Sequence, residues 1–250
     1  MAYHESMRPP LLIALFVLLS PAARALCKPG MAEIDGKYCI DKYEAGLIEA
    51  TASGNSPWSP FHTPLATSTY RAISMKGIRP QGYISGAQAL AACGNAGKRL
   101  CTAAEWQRAC QGPAPRKYPY GNDYKLQTCN EHSKDGKYVS PLNRLYNGKP
   151  SYDKATMNDP RINQMPDTLA RAGAYDQCAN SYGVFDMVGN LHEWTAEKVK
   201  GNGVFRGGYY NEAEINGSGC AYKTSAHDFA YHDYSTGFRC CADPITPPAF

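Results

Sequence analysis

The stretch Tyr182-Gly183-Val184-Phe185-Asp186-Met187-Val188-Gly189-Asn190-Leu191-His192-Glu193-Trp194-Thr195 places two carboxylates, Asp186 and Glu193, on either side of a Gly189-Asn190 turn. Hard cations such as Ca²⁺ take oxygen ligands from carboxylates and backbone carbonyls in short, sharply turned loops. This run can supply both kinds. The same residues also read as a buried turn in which Phe185, Met187, Val188 and Trp194 are core. The residues alone leave both readings open.

Outward from that run, the cysteines set the context. Cys27, Cys39, Cys93, Cys101, Cys110, Cys129, Cys178, Cys220, Cys240 and Cys241 make ten, an even count, with no C-x-x-C among them. The spacing argues against a zinc knuckle or a dithiol redox motif and for disulfides in an exported chain. The N-terminus agrees. Arg8 precedes an apolar run from Leu11 to Leu19, followed by Pro21 and Ala23-Arg24-Ala25, the pattern of a secretory signal peptide. The apolar run is too short to span a bilayer. We expect cleavage after Ala25, no membrane span thereafter, and a periplasmic or secreted single domain over residues 26–250. Losing Arg8, Arg24 and Glu5 takes the formal charge from +4 to +3. With no Lys/Arg run, nothing points to nucleic acid.

Local signals predict little regular structure. Asp35-Gly36 sits between two short strand patterns within residues 32–44 and reads as a hairpin turn, with Cys27 and Cys39 near enough to staple it. Ser85 can cap a helix presenting Ala87, Leu90, Ala91 and Gly94 on one face, and its Cys93 is read as buried and tied to a distant segment. Thr102-Ala103-Ala104-Glu105 is a capping box opening a second helix with Trp106, Ala109 and Cys110 inward and Gly112-Pro113 as its stop. Residues 118–179 are polar and rich in Asn, Asp, Pro and Tyr, and read as ordered loops held by Cys129 and Cys178. Short strands are expected at Gly203–Arg206 and around Phe238.

Five motifs then fall in one order: GKRLCTAAEWQRAC (97–110), YPYGN (118–122), YGVFDMVGNLHEWT (182–195), FRGG (205–208) and GFRC (237–240). Together they resemble the formylglycine-generating enzyme, or sulfatase-modifying factor, family over nearly all of the mature chain. The resemblance implies a C-type-lectin-like α+β fold, loop-rich, low in regular secondary structure and stabilised by disulfides and structural Ca²⁺. It places calcium ligands on the Asp186 and Glu193 side chains and the Gly189 and Leu191 carbonyls, with Asn130 beginning a second site. It also implies the pairs Cys93–Cys240 and Cys110–Cys220. Proximity then suggests Cys27–Cys39, the long loop Cys129–Cys178, and elimination Cys101–Cys241, with exchange between Cys240 and Cys241 left open.

The resemblance breaks at the chemistry. The aerobic family enzymes use two thiols, shortly after RGG, to bind copper and convert a substrate cysteine to formylglycine. Here residues 209–219 contain no cysteine, and soft Cu(I) wants thiolates. Copper and the family oxidation are therefore not expected. One reading is a divergent exported relative binding or modifying a polypeptide or small ligand across Tyr209, Tyr210, Glu212, Glu214, His227 and His232. A second is a non-catalytic, lectin-like recognition or accessory module. A third is a non-haem metal oxidase, its iron held by His227 and His232. His192, where the family commonly has a bulky aromatic, reads as a packed or satisfied histidine and not as a ligand.

Overall fold

Asp35 and Gly36 both take positive φ, 53° and 68°, and turn β1 (Met31–Ile34) back onto β2 (Tyr38–Asp41). The computed structural model describes residue 1 and residues 27–245. Apart from Met1, the expected signal segment and its cleavage point lie outside the described residues. In chain order there follow β3 (Gly46–Thr51), β4 (Gly54–Pro57), β5 (Thr69–Ile73), α1 (Gly86–Asn95), β6 (Arg99–Leu100), α2 (Ala103–Gln111), α3 (Pro141–Leu145) and α4 (Lys154–Met157). The remainder is β7 (His192–Val199), β8 (Asn202–Arg206), β9 (Lys223–Thr224), β10 (Thr236–Phe238) and β11 (Cys240–Ala242). Among the described residues, no helix is long and apolar enough to cross a membrane.

The strands form three small sheets, in the orders β1-β2-β11-β6, β10-β7-β8-β9 and β4-β3-β5. All pairs are antiparallel except β10 on β7, where Thr236, Gly237 and Phe238 run beside His192, Glu193 and Trp194. Only Arg239 separates β10 from β11, so this one residue stands where the chain leaves the second sheet for the first. Its side chain is fully buried, a placement rare for arginine unless it is paired.

Both long helices begin with a reciprocal capping box, Ser85 with Gln88 and Thr102 with Glu105. In α2 the buried residues are Ala103, Trp106, Ala109 and Cys110, the face read from the sequence. In α1 the sequence reading was right for Cys93 and wrong for the stripe of Ala87, Leu90, Ala91 and Gly94. Its buried residues are Gly86, Ala89, Ala92 and Cys93, while Leu90 is 46% exposed. The disulfide from Cys93 to Cys240 turns the cysteine inward, and a single leucine cannot outweigh that tether.

All ten cysteines are paired: Cys27–Cys39, Cys93–Cys240, Cys101–Cys241, Cys110–Cys220 and Cys129–Cys178. Five cross-links are the mark of an oxidising compartment. They stand in for the regular structure the chain lacks, and the last of them spans the long ordered loop between α2 and β7.

Candidate functional site

The turn at Gly189-Asn190 is the centre of a buried polar knot. Gly189 takes φ +76°, and a Cβ there would come within 2.2 Å of the Asn130 carbonyl oxygen, so close approach as well as backbone conformation requires glycine. Asn190 binds the knot from several directions. Its N–H donates to the Asn130 carbonyl at 2.8 Å, and its Oδ1 accepts from Asn130 Nδ2 at 2.8 Å and Ala170 N–H at 2.9 Å. Its Nδ2 donates to Glu44 Oε2, and Glu44 Oε1 accepts the Leu191 N–H at 3.1 Å.

Arg239 occupies the other side. Nε and Nη2 reach the two oxygens of Glu193, each at 2.7 Å, while Nη1 and Nη2 also donate to the carbonyls of Asp41, Lys42 and Phe185. Trp106 Nε1 donates to Glu193 Oε2 at 2.6 Å. Asp186 Oδ2 accepts the Gly173 N–H at 2.6 Å. Burial, reinforced by the neighbouring carboxylates, pushes Glu44 well above the usual carboxylate range, and burial raises Asp186 as well.

This geometry changes the reading of the calcium ligands. Glu193 spends its Oε2 on Trp106 and Arg239 and its Oε1 on Arg239, so it is an ion-pair partner first. Asn130 donates through Nδ2 to the Thr168 carbonyl and to Asn190 Oδ1, so it also braces this turn. Among the described residues no group of three His, Cys, Asp or Glu side chains converges as a cation site. One feature does suit a cation: three buried carboxylates, Glu44, Asp186 and Glu193, face a single guanidinium. Glu193 accepts three hydrogen bonds there, two from Arg239 and one from Trp106.

Beside the knot lie two adjoining cavities. The inner one, about 280 Å³, is lined by His192, Phe205, Tyr209, Tyr222, Tyr231 and Tyr234 among others. The outer, about 570 Å³, is lined by Tyr152, Lys154, Asn158, Asp228 and His232. Met157, His227 and Tyr231 belong to both walls. His227 stacks on Tyr231 with ring centroids 3.7 Å apart, and the pair forms the partition. His192 is buried among rings, 4.6 Å from Phe205 and 4.9 Å from Tyr209. Burial, with a smaller contribution from His227, lowers its pKa to about 3, so it is neutral at physiological pH. Its Nδ1 is buried without a hydrogen-bond partner: the histidine is packed, as read from the sequence.

The residues proposed from sequence as one ligand surface separate. Tyr209 and His227 line the inner cavity and His227 and His232 the outer. Tyr210 is wholly buried, its hydroxyl donating to Asn163 at 2.9 Å. Glu212 closes a turn, accepting the N–H groups of Glu214 and Ile215. Glu214 accepts from Tyr118 and Ser218. Of these three Tyr210 is inaccessible, whereas Glu212 and Glu214 remain part-exposed. His232 Nδ1 is held 2.7 Å from Asn158 Oδ1, His227 lies flat on Tyr231, and no third side-chain ligand joins them among the described residues. Sequence reading missed Glu44, Trp106 as a donor, and Arg239. A charged residue lodged between Phe238 and Cys240 was the available signal, since such a charge must find a partner.

Three small sheets, few short helices and long cross-linked loops define a C-type-lectin-like α+β domain. The chain belongs to the family of the sulfatase-modifying factor enzyme 1-like domain, whose model matches residues 38–244. The formylglycine-generating enzyme of Mus musculus is 33% identical over 120 residues, covering 47% of this chain and 27% of that protein. An inactive C-alpha-formylglycine-generating enzyme 2 of Bos taurus is 31% identical over 126 residues, covering 48% of this chain and 34% of that protein. The chain thus spans about a third or less of the length of these relatives. The Major Tropism Determinant I1 variant superposes with a TM-score of 0.50 at 13% identity, covering 90% of this chain and 55% of that one. That likeness is one of fold alone.

Proposed function

We propose that this chain is an exported, ligand-binding member of the family that works without thiol oxidation, its ligand site being the paired cavities partitioned by His227 and Tyr231. The observation that supports this reading is the state of the sulfur. All ten cysteines are in disulfides and none is free, so no thiolate stands beside the cavities to hold copper or attack. The relative described as inactive is in keeping with this, as is the segment between Gly208 and Cys220, which offers tyrosines and carboxylates instead of thiols.

Two experiments test it. Incubation with copper and a peptide carrying a sulfatase-type cysteine motif should give no formylglycine; turnover would overturn the reading. A fragment survey by protein-observed NMR should concentrate shifts on His192, His227 and Tyr231, and shifts confined to other faces would move the site.

A structural Ca²⁺ at the Asp186–Glu193 turn is part of the same proposal. Asp186 and the Gly189 and Leu191 carbonyls would hold it, with Glu193 contributing charge while it stays on Arg239. Chelator should then lower the thermal midpoint, and added calcium should restore it. An unchanged midpoint would remove the ion from the proposal.

A further inference from the structure

Another cavity, of about 450 Å³, lies apart from the paired ones and shares no residue with their walls. Arg79, Gln164, Asp167, Thr168, Arg171 and Tyr175 carry its polar side chains. The Gly77 N–H donates to the Ala172 carbonyl and the Ala172 N–H to the Ile78 carbonyl, each at 2.8 Å. These bonds lay the two arginine-bearing segments side by side. Each arginine clasps the opposite segment through Nη1: Arg79 donates to the Leu169 carbonyl, and Arg171 to the Gly77 carbonyl at 2.8 Å. The Arg79 guanidinium also lies over the Phe61 ring, 5.8 Å from its centroid.

Those clasps use one nitrogen of each side chain and no acid. Among the described residues neither arginine has an ion-pair partner, and Nε and Nη2 of both make no hydrogen bond. On the half-buried Arg79 these two atoms are open to solvent. Burial, and then the charge of Arg171, lower the Arg79 pKa, and no carboxylate acts against them. Asp167, the one acid of the wall, acts on Tyr175 instead. Gln164 donates to the Pro160 carbonyl and Thr168 to the Met165 carbonyl, which leaves their acceptor oxygens and the Tyr175 hydroxyl. A neutral ligand could use those groups, yet it would leave two like charges unanswered. A cation would add a third; only an anion relieves the pair.

We propose that this cavity binds an oxyanion, taken by the free Nε–Nη2 edge of Arg79 with Arg171 supplying a second positive charge. The same edge of the guanidinium holds a carboxylate twice elsewhere in the chain, Arg108 on Asp35 and Arg239 on Glu193. Its two parallel N–H groups match a pair of carboxylate or phosphate oxygens. About 450 Å³ falls within the range of small-molecule sites, roughly 300–1,000 Å³, and leaves room for a body beyond the anion. The oxyanion is the shared chemistry of an inorganic ion and an organic acid. Asp167, on the same wall, opposes both.

Calorimetric titration of the full chain with phenyl phosphate, inorganic phosphate, benzyl alcohol and benzylamine, in a constant chloride background, tests it. We expect saturable binding of both phosphates, at least about tenfold tighter than benzyl alcohol, the worth of a hydrogen bond to a charged group. Benzylamine should bind more weakly still. Arg79→Gln should weaken phenyl phosphate by at least about tenfold. If that variant does not fold, Ala174→Glu, which adds a carboxylate to an exposed part of the wall, should do the same. Asp167 takes φ 56°, a conformation asparagine also adopts, and Asp167→Asn should tighten both phosphates. Phenyl phosphate binding more tightly than inorganic phosphate indicates an organic acid, and equal affinities an inorganic ion. Absence of saturable binding by both phosphates overturns the proposal. So does phenyl phosphate binding unmoved by a folded Arg79→Gln or by Ala174→Glu. Benzyl alcohol or benzylamine bound as tightly as phenyl phosphate, or phosphate binding weakened by Asp167→Asn, would refute it as well.

Discussion

Replacing Arg239 by methionine removes a guanidinium whose five N–H donors all have acceptors while keeping much of the side-chain length. Two of those bonds, at 2.7 Å, satisfy Glu193, and the other three, at 2.8, 3.1 and 3.4 Å, satisfy the carbonyls of Phe185, Asp41 and Lys42. Both partners of the ion pair are essentially inaccessible, with side-chain exposures of 0% and 1%. Breaking a buried pair from one side costs about 3–5 kcal/mol, because the remaining charge is left uncompensated. The cost belongs at the upper end, since Glu44 and Asp186 crowd the same space. For a domain of this size it corresponds to a fall in thermal midpoint of roughly 6–20 °C, at about 2–4 °C per kcal/mol. Urea unfolding in chelator, followed by the fluorescence of buried Trp106 and Trp194, measures the loss. The double variant Glu193→Gln/Arg239→Met should recover at least about 1 kcal/mol over Arg239→Met alone, as coupled neighbours do. A loss below about 1 kcal/mol for the single variant, or a double variant no better than the single, would refute the view that this pair organises the turn.

Cys93–Cys240 and Cys101–Cys241 close nearly the same loop, with separations of 147 and 140 residues, and Cys110–Cys220 shortens it from within, so on the chain-entropy model removing either pair as alanines should cost about 3 kcal/mol and removing both about 6–7 kcal/mol. A loss of about 5 kcal/mol or more in urea titrations for either pair alone would contradict that redundancy. Because the pKa of His192 is about 3 in the fold against 6.5 in the unfolded chain, stability should be full above pH 6.5 and fall as pH drops towards 3, by on the order of 5 kcal/mol from this group. His192→Phe should flatten that limb in urea midpoints taken from pH 7 to 4, and an unchanged slope would contradict the assignment. Gly189→Ala, facing the Asn130 carbonyl at 2.2 Å with φ +76°, should destabilise by at least about 1–3 kcal/mol; a urea midpoint within error of the parent would contradict the tight approach seen there.

What could be read in advance was local. The capping boxes at Ser85 and Thr102 and the Asp35-Gly36 turn depend on residues within a few positions, and the sequence contains all of them. The apolar stripe of α1 was misread because Ala87, Leu90 and Ala91 carry hydrophobicity, whereas Cys93 carries a covalent bond to a strand 147 residues away. Glu193 was read as an oxygen donor since carboxylates and turns are visible in a sequence. The competing cation, Arg239, lies 46 residues on, and periodicity carries no record of that pairing. Tyr210 failed as a surface residue for a related reason. Composition shows that a tyrosine is present, but not that Asn163 has already claimed its hydroxyl.

Strand β7 explains how the knot and the cavity can be separate in chemistry and joined in mechanics. Successive side chains of a strand point to opposite faces, so His192 faces the inner cavity while Glu193, the next residue, faces Arg239 and Trp106. The parallel pairing of β7 with β10 sets Gly237 beside Glu193 and brings Arg239 round to that carboxylate. The invariance this imposes is one of position. Residues on the knot side cannot change without releasing two sheets, because Arg239 is the single residue between β10 and β11. Residues on the cavity side, His192 and the tyrosines among them, can change without touching the ion pair. A scaffold divided in this way can exchange one site chemistry for another while its fold stays in place, since function resides in the site and not in the fold.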